Sequence, residues 1–200
     1  PAEMNAALGA GAVQLALTMF FTGAVSYTTA MVAQRLGAKQ RWDCARVFMQ
    51  AVYLSLACVP LLYLTIPVGH FVFGLEHLPA DQLEYQKTYF NILMLGGIIT
   101  LVRNAAPCFF SGIGETKIVM QAAFVGMVVN VVCNFVLVFG LGPVPALGIA
   151  GAAYGTLIGN AVSTIILFAK FFSKSCHRRV RTRNAFAFSW PLCRELLREG

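Results

Sequence analysis

Charged residues are scarce in this sequence, and their scarcity excludes an ordinary soluble domain. Only 12% of the 200 residues are Asp, Glu, Lys or Arg, whereas soluble domains carry about 25%. So few charges cannot cover a water-facing surface of this size, and 58% of the residues are hydrophobic. The composition therefore indicates an integral membrane protein.

Patterns typical of metal, redox and catalytic sites are also missing. The six cysteines form no CxxC pair, and His70, His77 and His177 show no metal-ligand spacing. No nucleophile stands in a recognisable pattern with a base. We therefore expect no metal, no catalytic residue and no cofactor. An integral membrane enzyme remains open as a different class of function, as does a structural membrane scaffold.

Five apolar windows are long enough to cross a bilayer, which takes roughly 20 mostly apolar residues. Short connections separate them, so the sequence predicts an all-α membrane protein, a polytopic helical bundle. The windows are residues 4–32, 44–73, 89–110, 118–139 and 146–172.

Basic residues concentrate in alternate connections, which five spans would place on the same side of the membrane. They fill the first connection, recur as Lys117 in the third and dominate the tail after the fifth window. The second connection is mainly acidic and the fourth carries no charge. The positive-inside rule then predicts that residue 1 is outside and residue 200 is cytoplasmic. The basic run 177–183 is typical of a topological anchor that touches anionic lipid, so no nucleic-acid partner is expected.

Two amides interrupt the fourth window. Asn130 and Asn134 are four residues apart and share one helix face. A buried amide without a partner costs several kcal/mol, and the candidate partners are Asn104, Arg103 and Thr156. A static clamp between helices and a polar cavity for an ion, a proton or a solute are both open readings.

Acidic residues are absent from membrane depth in all five windows. Coupling transport to a proton needs a titrating group, and Asn does not titrate. Either any coupling carboxylate is therefore in a part of the protein beyond this sequence, or this half does not bind the coupling ion. Arg103, about 12 Å from the cytoplasmic end of its window, is expected to face a protein interior or an aqueous cavity rather than to snorkel.

Two further stripes follow helical spacing. Gln14, Thr18 and Thr22 recur every four residues in the first window, which suits either a helix contact or a cavity wall. Gly151, Gly155 and Gly159 recur every four residues in the fifth and predict close packing of another helix.

Four segments resemble a known transporter family when their order and spacing are taken together. No single segment is specific, but the set covers nearly the whole chain and is similar to the multidrug and toxic compound extrusion (MATE) transporters. The segments are AQRLGA (33–38), FFSGIGETK (109–117), NVVCNFVLVFG (130–140) and PALGIAGAAYGT (145–156).

The resemblance implies an architecture of twelve helices in two six-helix lobes around a central cavity. Residues 1–172 would form the N-terminal lobe, with the five windows as helices two to six. Residues 173–200 would be the basic cytoplasmic linker that leads to helix seven. The sequence is then expected to be a fragment, whose missing partners are helix one and the C-terminal lobe of its own chain.

The resemblance also implies a function. Such a protein would be a secondary active antiporter in the bacterial inner (plasma) membrane. It would export organic, expected cationic, drugs or toxic compounds in exchange for H⁺ or Na⁺, with a small-molecule substrate and membrane lipid as partners. Many relatives carry N-x-x-x-D on helix five; Asn130 matches the Asn, and Asn134 stands where the Asp would be. Asn104 and Thr156 match the supporting polar positions.

A flippase for lipid-linked oligosaccharide or polysaccharide, from the same broad superfamily, is the alternative. Such a protein is expected to place several cationic side chains in its cavity. Only Arg103 meets that description here.

Overall fold

The computed structural model describes residues 2–75, 79–141, 145–182 and 185–199. Ten helices and no strand occur in these ranges, so the all-α prediction is confirmed. The helices are α1 (Ala2–Ser26), α2 (Thr28–Gly37), α3 (Arg41–Leu64), α4 (Ile66–Leu75), α5 (Ala80–Leu95), α6 (Gly97–Gly112), α7 (Thr116–Phe139), α8 (Gly148–Phe171), α9 (Lys174–Val180) and α10 (Trp190–Glu199).

Four helical segments are long and apolar enough to cross a membrane. They are Met4–Gly37, which joins α1 and α2, and the helices α3, α7 and α8. The pair α5 and α6 passes the same test together, although the two helices are bent by 55° at their junction. The described ranges therefore contain four candidate spans, or five if the bent pair crosses as one, which fits a polytopic helical membrane protein.

The second and third windows differ from continuous helices. The second is interrupted at Thr65, and Pro67 lies in the first turn of α4, where a missing N–H is tolerated. The third extends back to Ala80, because the polar first half of α5 is helical without being hydrophobic. It bends at Gly96, where the side chain of Leu157 leaves no room for a Cβ.

Three phenylalanine rings join α3, α6 and α8 near one end of the bundle. The ring of Phe171 lies 4.4 Å from that of Phe48 and 5.1 Å from that of Phe109, measured between centroids. All three side chains are fully buried. They anchor the largest core cluster, which also contains residues of α2, α9 and α10.

The chain after α8 folds back onto this same end. Arg35 at the end of α2 forms an ion pair with Glu195 of α10 at 2.8 Å. Arg179 of α9 pairs with Glu115 in the connection between α6 and α7. The first connection, the third connection and the tail therefore meet at one end of the bundle.

Candidate functional site

Helices α7 and α8 approach each other closely because glycines line their contact. A Cβ on Gly159 would lie 2.7 Å from the carbonyl oxygen of Gly126, and a Cβ on Gly126 would lie 2.8 Å from that of Gly159. One on Gly151 would lie 2.5 Å from the carbonyl oxygen of Leu137. Real side chains do not fit at such distances, so Gly151, Gly155 and Gly159 form the face of α8 that receives α7.

A chain of side-chain hydrogen bonds crosses this contact. Asn134 Nδ2 donates to Asn130 Oδ1 at 3.4 Å, and Asn130 Nδ2 donates to Thr156 Oγ1 at 3.3 Å. Thr156 in turn donates its hydroxyl to the carbonyl oxygen of Ala152 at 3.0 Å. Asn134 Oδ1 is buried and accepts no hydrogen bond from any residue the structure describes. The chain thus ends in a buried carbonyl oxygen that has no donor among the described residues.

Two adjoining pockets lie beside this chain of hydrogen bonds. One, of about 270 Å³, lies between α6, α7 and α8; the other, of about 320 Å³, lies between α1, α5, α6 and α8. Both are lined by Arg103, Thr156 and Asn160. Together we call them the polar groove. Its other polar lining residues are Gln14, Thr18, Thr22, Thr100, Asn104, Asn130 and Ser163.

Most side chains singled out from the sequence border this groove. Gln14, Thr18, Thr22 and Asn104 line the larger pocket, Asn130 lines the smaller one, and Arg103 and Thr156 line both. Asn134 lies outside the lining and connects to it through Asn130.

The predicted partners of the asparagines are only partly present. Thr156 bonds Asn130, but Asn104 donates instead to the carbonyl oxygen of Thr100, one turn earlier on α6, at 3.1 Å. Arg103 forms no hydrogen bond with either asparagine in the part of the chain described. A side-chain amide on a helix can donate to the backbone carbonyl oxygen at i−4. Sequence spacing does not show whether Asn104 uses that acceptor or one on another helix.

The charge of the polar groove comes from one side chain. Arg103 is the only ionisable residue among the described residues that line either pocket. No described carboxylate forms an ion pair with it. The remaining polar lining consists of amides and hydroxyls, so the groove is positively charged overall.

Sequence reasoning left Thr100 and Ser163 out of the candidate site, and it identified Asn160 only as a polar neighbour of the α8 glycines that could line a pathway. On α8, Thr156, Asn160 and Ser163 follow i, i+4, i+7 spacing and so share a helix face. On α6, Thr100 precedes Arg103 and Asn104 by three and four residues. These spacings are the signal that would have found them.

Metal-binding geometry is not found in the described ranges: no three His, Cys, Asp or Glu side chains gather there. His70 Nε2 lies 2.8 Å from Asn91 Oδ1 and does not line the groove.

Comparison with known proteins shows that this chain is similar to transporters. The model of the MatE family matches residues 4–136. Proteins described as "Probable multidrug resistance protein NorM" are similar in sequence. The one from Haemophilus ducreyi is 24% identical over 98% of this chain and 42% of its own length. The one from Bacillus subtilis is 26% identical over 89% of this chain and 40% of its own length. The one from Bacillus anthracis is 32% identical over 66% and 29%.

Solved structures share the fold. An outward-facing multidrug resistance MATE family transporter aligns with a TM-score of 0.84 at 22% identity, over 99% of this chain and 43% of its own. An inward-facing one aligns with a TM-score of 0.79 at 24% identity, over 98% of this chain and 44% of its own. A MOP superfamily transporter from Pyrococcus furiosus aligns with a TM-score of 0.82 at 24% identity, over 98% of this chain and 43% of its own. This chain thus spans less than half the length of these proteins.

Proposed function

This chain belongs to the MatE family, and from that premise we propose that it is part of a secondary active antiporter that exports organic compounds in exchange for H⁺ or Na⁺. The relatives are described as multidrug resistance proteins, which supports transport rather than catalysis. Because the chain spans 42% and 40% of the first two relatives, the proposal concerns a longer protein that contains it.

We assign residues 1–172 to the N-terminal lobe, as helices two to six, and residues 173–200 to the linker that leads to helix seven. We place residue 1 outside and residue 200 in the cytoplasm of a bacterial inner membrane. The ion pairs Arg35–Glu195 and Arg179–Glu115 support this arrangement. They bring the basic first connection and the tail to one end, as a shared cytoplasmic side requires.

The polar groove is the observation that carries the proposal. Side chains of α1, α6, α7 and α8 line it within helices that are otherwise apolar. Polar groups at membrane depth are costly and typically mark a substrate or ion path. Rocking of this lobe against a second lobe would expose such a groove to each side in turn, the mechanism of other repeat-built transporters.

Asn134 Oδ1 is the best placed group for a coupling cation. It is buried and accepts no hydrogen bond from a described residue, and its amide is linked through Asn130 to Thr156, so the oxygens of these three side chains are the candidate ligands. Hard cations prefer carbonyl, carboxylate and hydroxyl oxygens. Na⁺ fits these ligands directly. Coupling to H⁺ would need a titrating group from the rest of the protein, since no described carboxylate lines the groove.

The substrate is proposed to be an organic compound, expected to be cationic. No described residue of the groove supplies a negative charge to bind it. We therefore expect the carboxylate that binds a cation to come from helix one or from the C-terminal lobe.

The test is accumulation of a fluorescent cationic dye in an efflux-deficient bacterial strain that makes the full-length protein. Asn134→Leu should raise dye accumulation toward the level of cells without the protein, and any efflux that remains should no longer respond to a Na⁺ or H⁺ gradient. Val131→Leu is the matched control, because Val131 lies on the same helix and its side chain is 60% exposed. Unchanged efflux and ion dependence in Asn134→Leu, at equal membrane levels, would remove Asn134 from the ion path.

A further inference from the structure

We propose that Arg103 forms a binding site for a carboxylate carried by the transported compound, so that the protein favours organic substrates that bear an anionic group. This inference rests on the proposed transport function and names the substrate class of the same groove. It concerns a group on the substrate that is separate from any positive charge the substrate carries.

The position of Arg103 is the first argument. It lies midway along α6 and lines both pockets, together with Thr156 and Asn160 of α8. The two pockets of about 270 and 320 Å³ leave space on both sides of this shared wall. A carboxylate bound at Arg103 would thus leave the remainder of an organic molecule room in the same groove.

The missing counter-charge is the second argument. An arginine within membrane-spanning helices is rare and is normally paired, because an unpaired charge is costly there. The described ion pairs all involve other arginines: Arg35, Arg46, Arg179 and Arg198. Arg103 makes no ion pair with a carboxylate in the described ranges, so its charge remains available to a ligand.

Neighbouring donors complete the site. Asn160 and Ser163 line the smaller pocket with Arg103, and neither makes a side-chain hydrogen bond with another described residue. Ser163 is only 5% exposed. A guanidinium binds a carboxylate through two parallel N–H bonds. The amide of Asn160 and the hydroxyl of Ser163 can donate to the oxygens from the α8 side.

A carboxylate at this site has two conceivable sources. One is the transported compound, and the other is an Asp or Glu in the rest of the protein. Both would satisfy the guanidinium, but only the first makes Arg103 sensitive to the chemistry of the substrate. A pair of ligands that differ only in their carboxylate therefore separates the two.

The experiment compares two fluorescent dyes, a rhodamine with a free carboxylate and its methyl ester. Both carry the same positive charge on the xanthene. Their affinity for the purified full-length protein in nanodiscs is measured by fluorescence anisotropy. Arg103→Gln should weaken binding of the free acid by about tenfold and leave the ester unchanged. Arg103→Lys keeps the positive charge but cannot form two parallel N–H bonds to a carboxylate. It should therefore weaken binding of the free acid less than Arg103→Gln does. Arg46→Gln is the control, since Arg46 pairs with Asp43 and does not line the groove.

Three results would overturn the inference. Equal weakening of both dyes would mean that Arg103 pairs with a carboxylate of the protein itself. Unchanged binding of both would mean that Arg103 does not touch the ligand, and wild-type protein with no preference for the acid would remove the site. If Arg103→Gln does not fold, Arg103→Lys takes its place: weaker binding of the free acid with unchanged binding of the ester supports the inference, and any other result contradicts it. Failure of the transport proposal shows separately, as absence of dye efflux by the wild type in cells.

Discussion

The side-chain amide of Asn134 packs against the backbone of Gly155, so closely that the glycine has no room for a Cβ. The same amide donates to Asn130 Oδ1, and Asn130 donates to Thr156. Close packing of α7 on α8 therefore holds the hydrogen-bonded chain in register. Asn134 therefore serves packing and polarity at once.

Gly155→Ala should destabilise the protein and disturb this chain. The new methyl group would collide with Asn134 Oδ1, and overpacking of this kind costs roughly 1–3 kcal/mol. Thermal unfolding of the full-length protein in detergent measures the effect as a lower midpoint. Gly74→Ala is the control, because a Cβ there meets open space. Equal midpoints for the two variants would show that α7 and α8 are not in close contact at Gly155.

A double-mutant cycle should detect the bond from Asn130 to Thr156. Asn130→Ala and Thr156→Val each remove one partner, so their combined effect on unfolding should be smaller than the sum of the two. Such bonds between membrane helices average about 0.6 kcal/mol. Pairing Asn130→Ala with Thr164→Val is the control, since the hydroxyl of Thr164 donates to the carbonyl oxygen of Asn160 instead. A coupling near zero in both cycles would contradict the bond.

Fold class and family were accessible from the sequence because both depend on local patterns. Long apolar windows predicted the helices of a membrane protein, and four short segments predicted the MATE resemblance; both predictions are confirmed. The helical start of α5 at Ala80 escaped detection for a physical reason. Hydropathy reports burial in lipid, and the polar residues that begin this helix carry no such signal.

Sequence spacing predicted the residues of the polar groove separately for each helix face. Spacing indicates that Gln14, Thr18 and Thr22 share a face, but it does not show which helix they meet. The amide of Asn104 donates to its own backbone at Thr100 at 3.1 Å rather than to Asn130, a choice that sequence spacing does not show. Partners across helices are therefore the part that the sequence left open.

The tail is held by Gln50, and loss of this side chain should release it. Gln50 is fully buried in α3; its Nε2 donates to Ala187 O at 3.0 Å and its Oε1 accepts from Ser189 N at 3.1 Å. Gln50→Leu would leave both backbone groups without these partners, at a cost of about 1–3 kcal/mol. Amide hydrogen exchange at residues 186–190 should become faster.

Gln34→Leu provides the comparison for Gln50, because Gln34 is an exposed glutamine on α2. It should leave exchange in residues 186–190 unchanged. Exchange that is equally slow in both variants would show that the ion pair from Arg35 to Glu195 or the packing of α10 is sufficient to hold the tail.

Cys176 should make the stability of the protein depend on alkaline pH. Burial in α9, together with the nearby carboxylate of Glu115, raises the pKa of this thiol from 9.0 to about 11. Unfolding restores the ordinary pKa, so the contribution of the neutral thiol is fully present below pH 9 and is lost as the pH rises toward 11. Cys176→Ala keeps a small apolar side chain and removes the titration. Between pH ~8 and ~10.5 the unfolding midpoint should therefore fall further in the wild type than in Cys176→Ala. Other ionisable groups are the same in both proteins and affect both curves alike. Parallel curves would mean that the thiol ionises as readily in the folded protein as in the unfolded one.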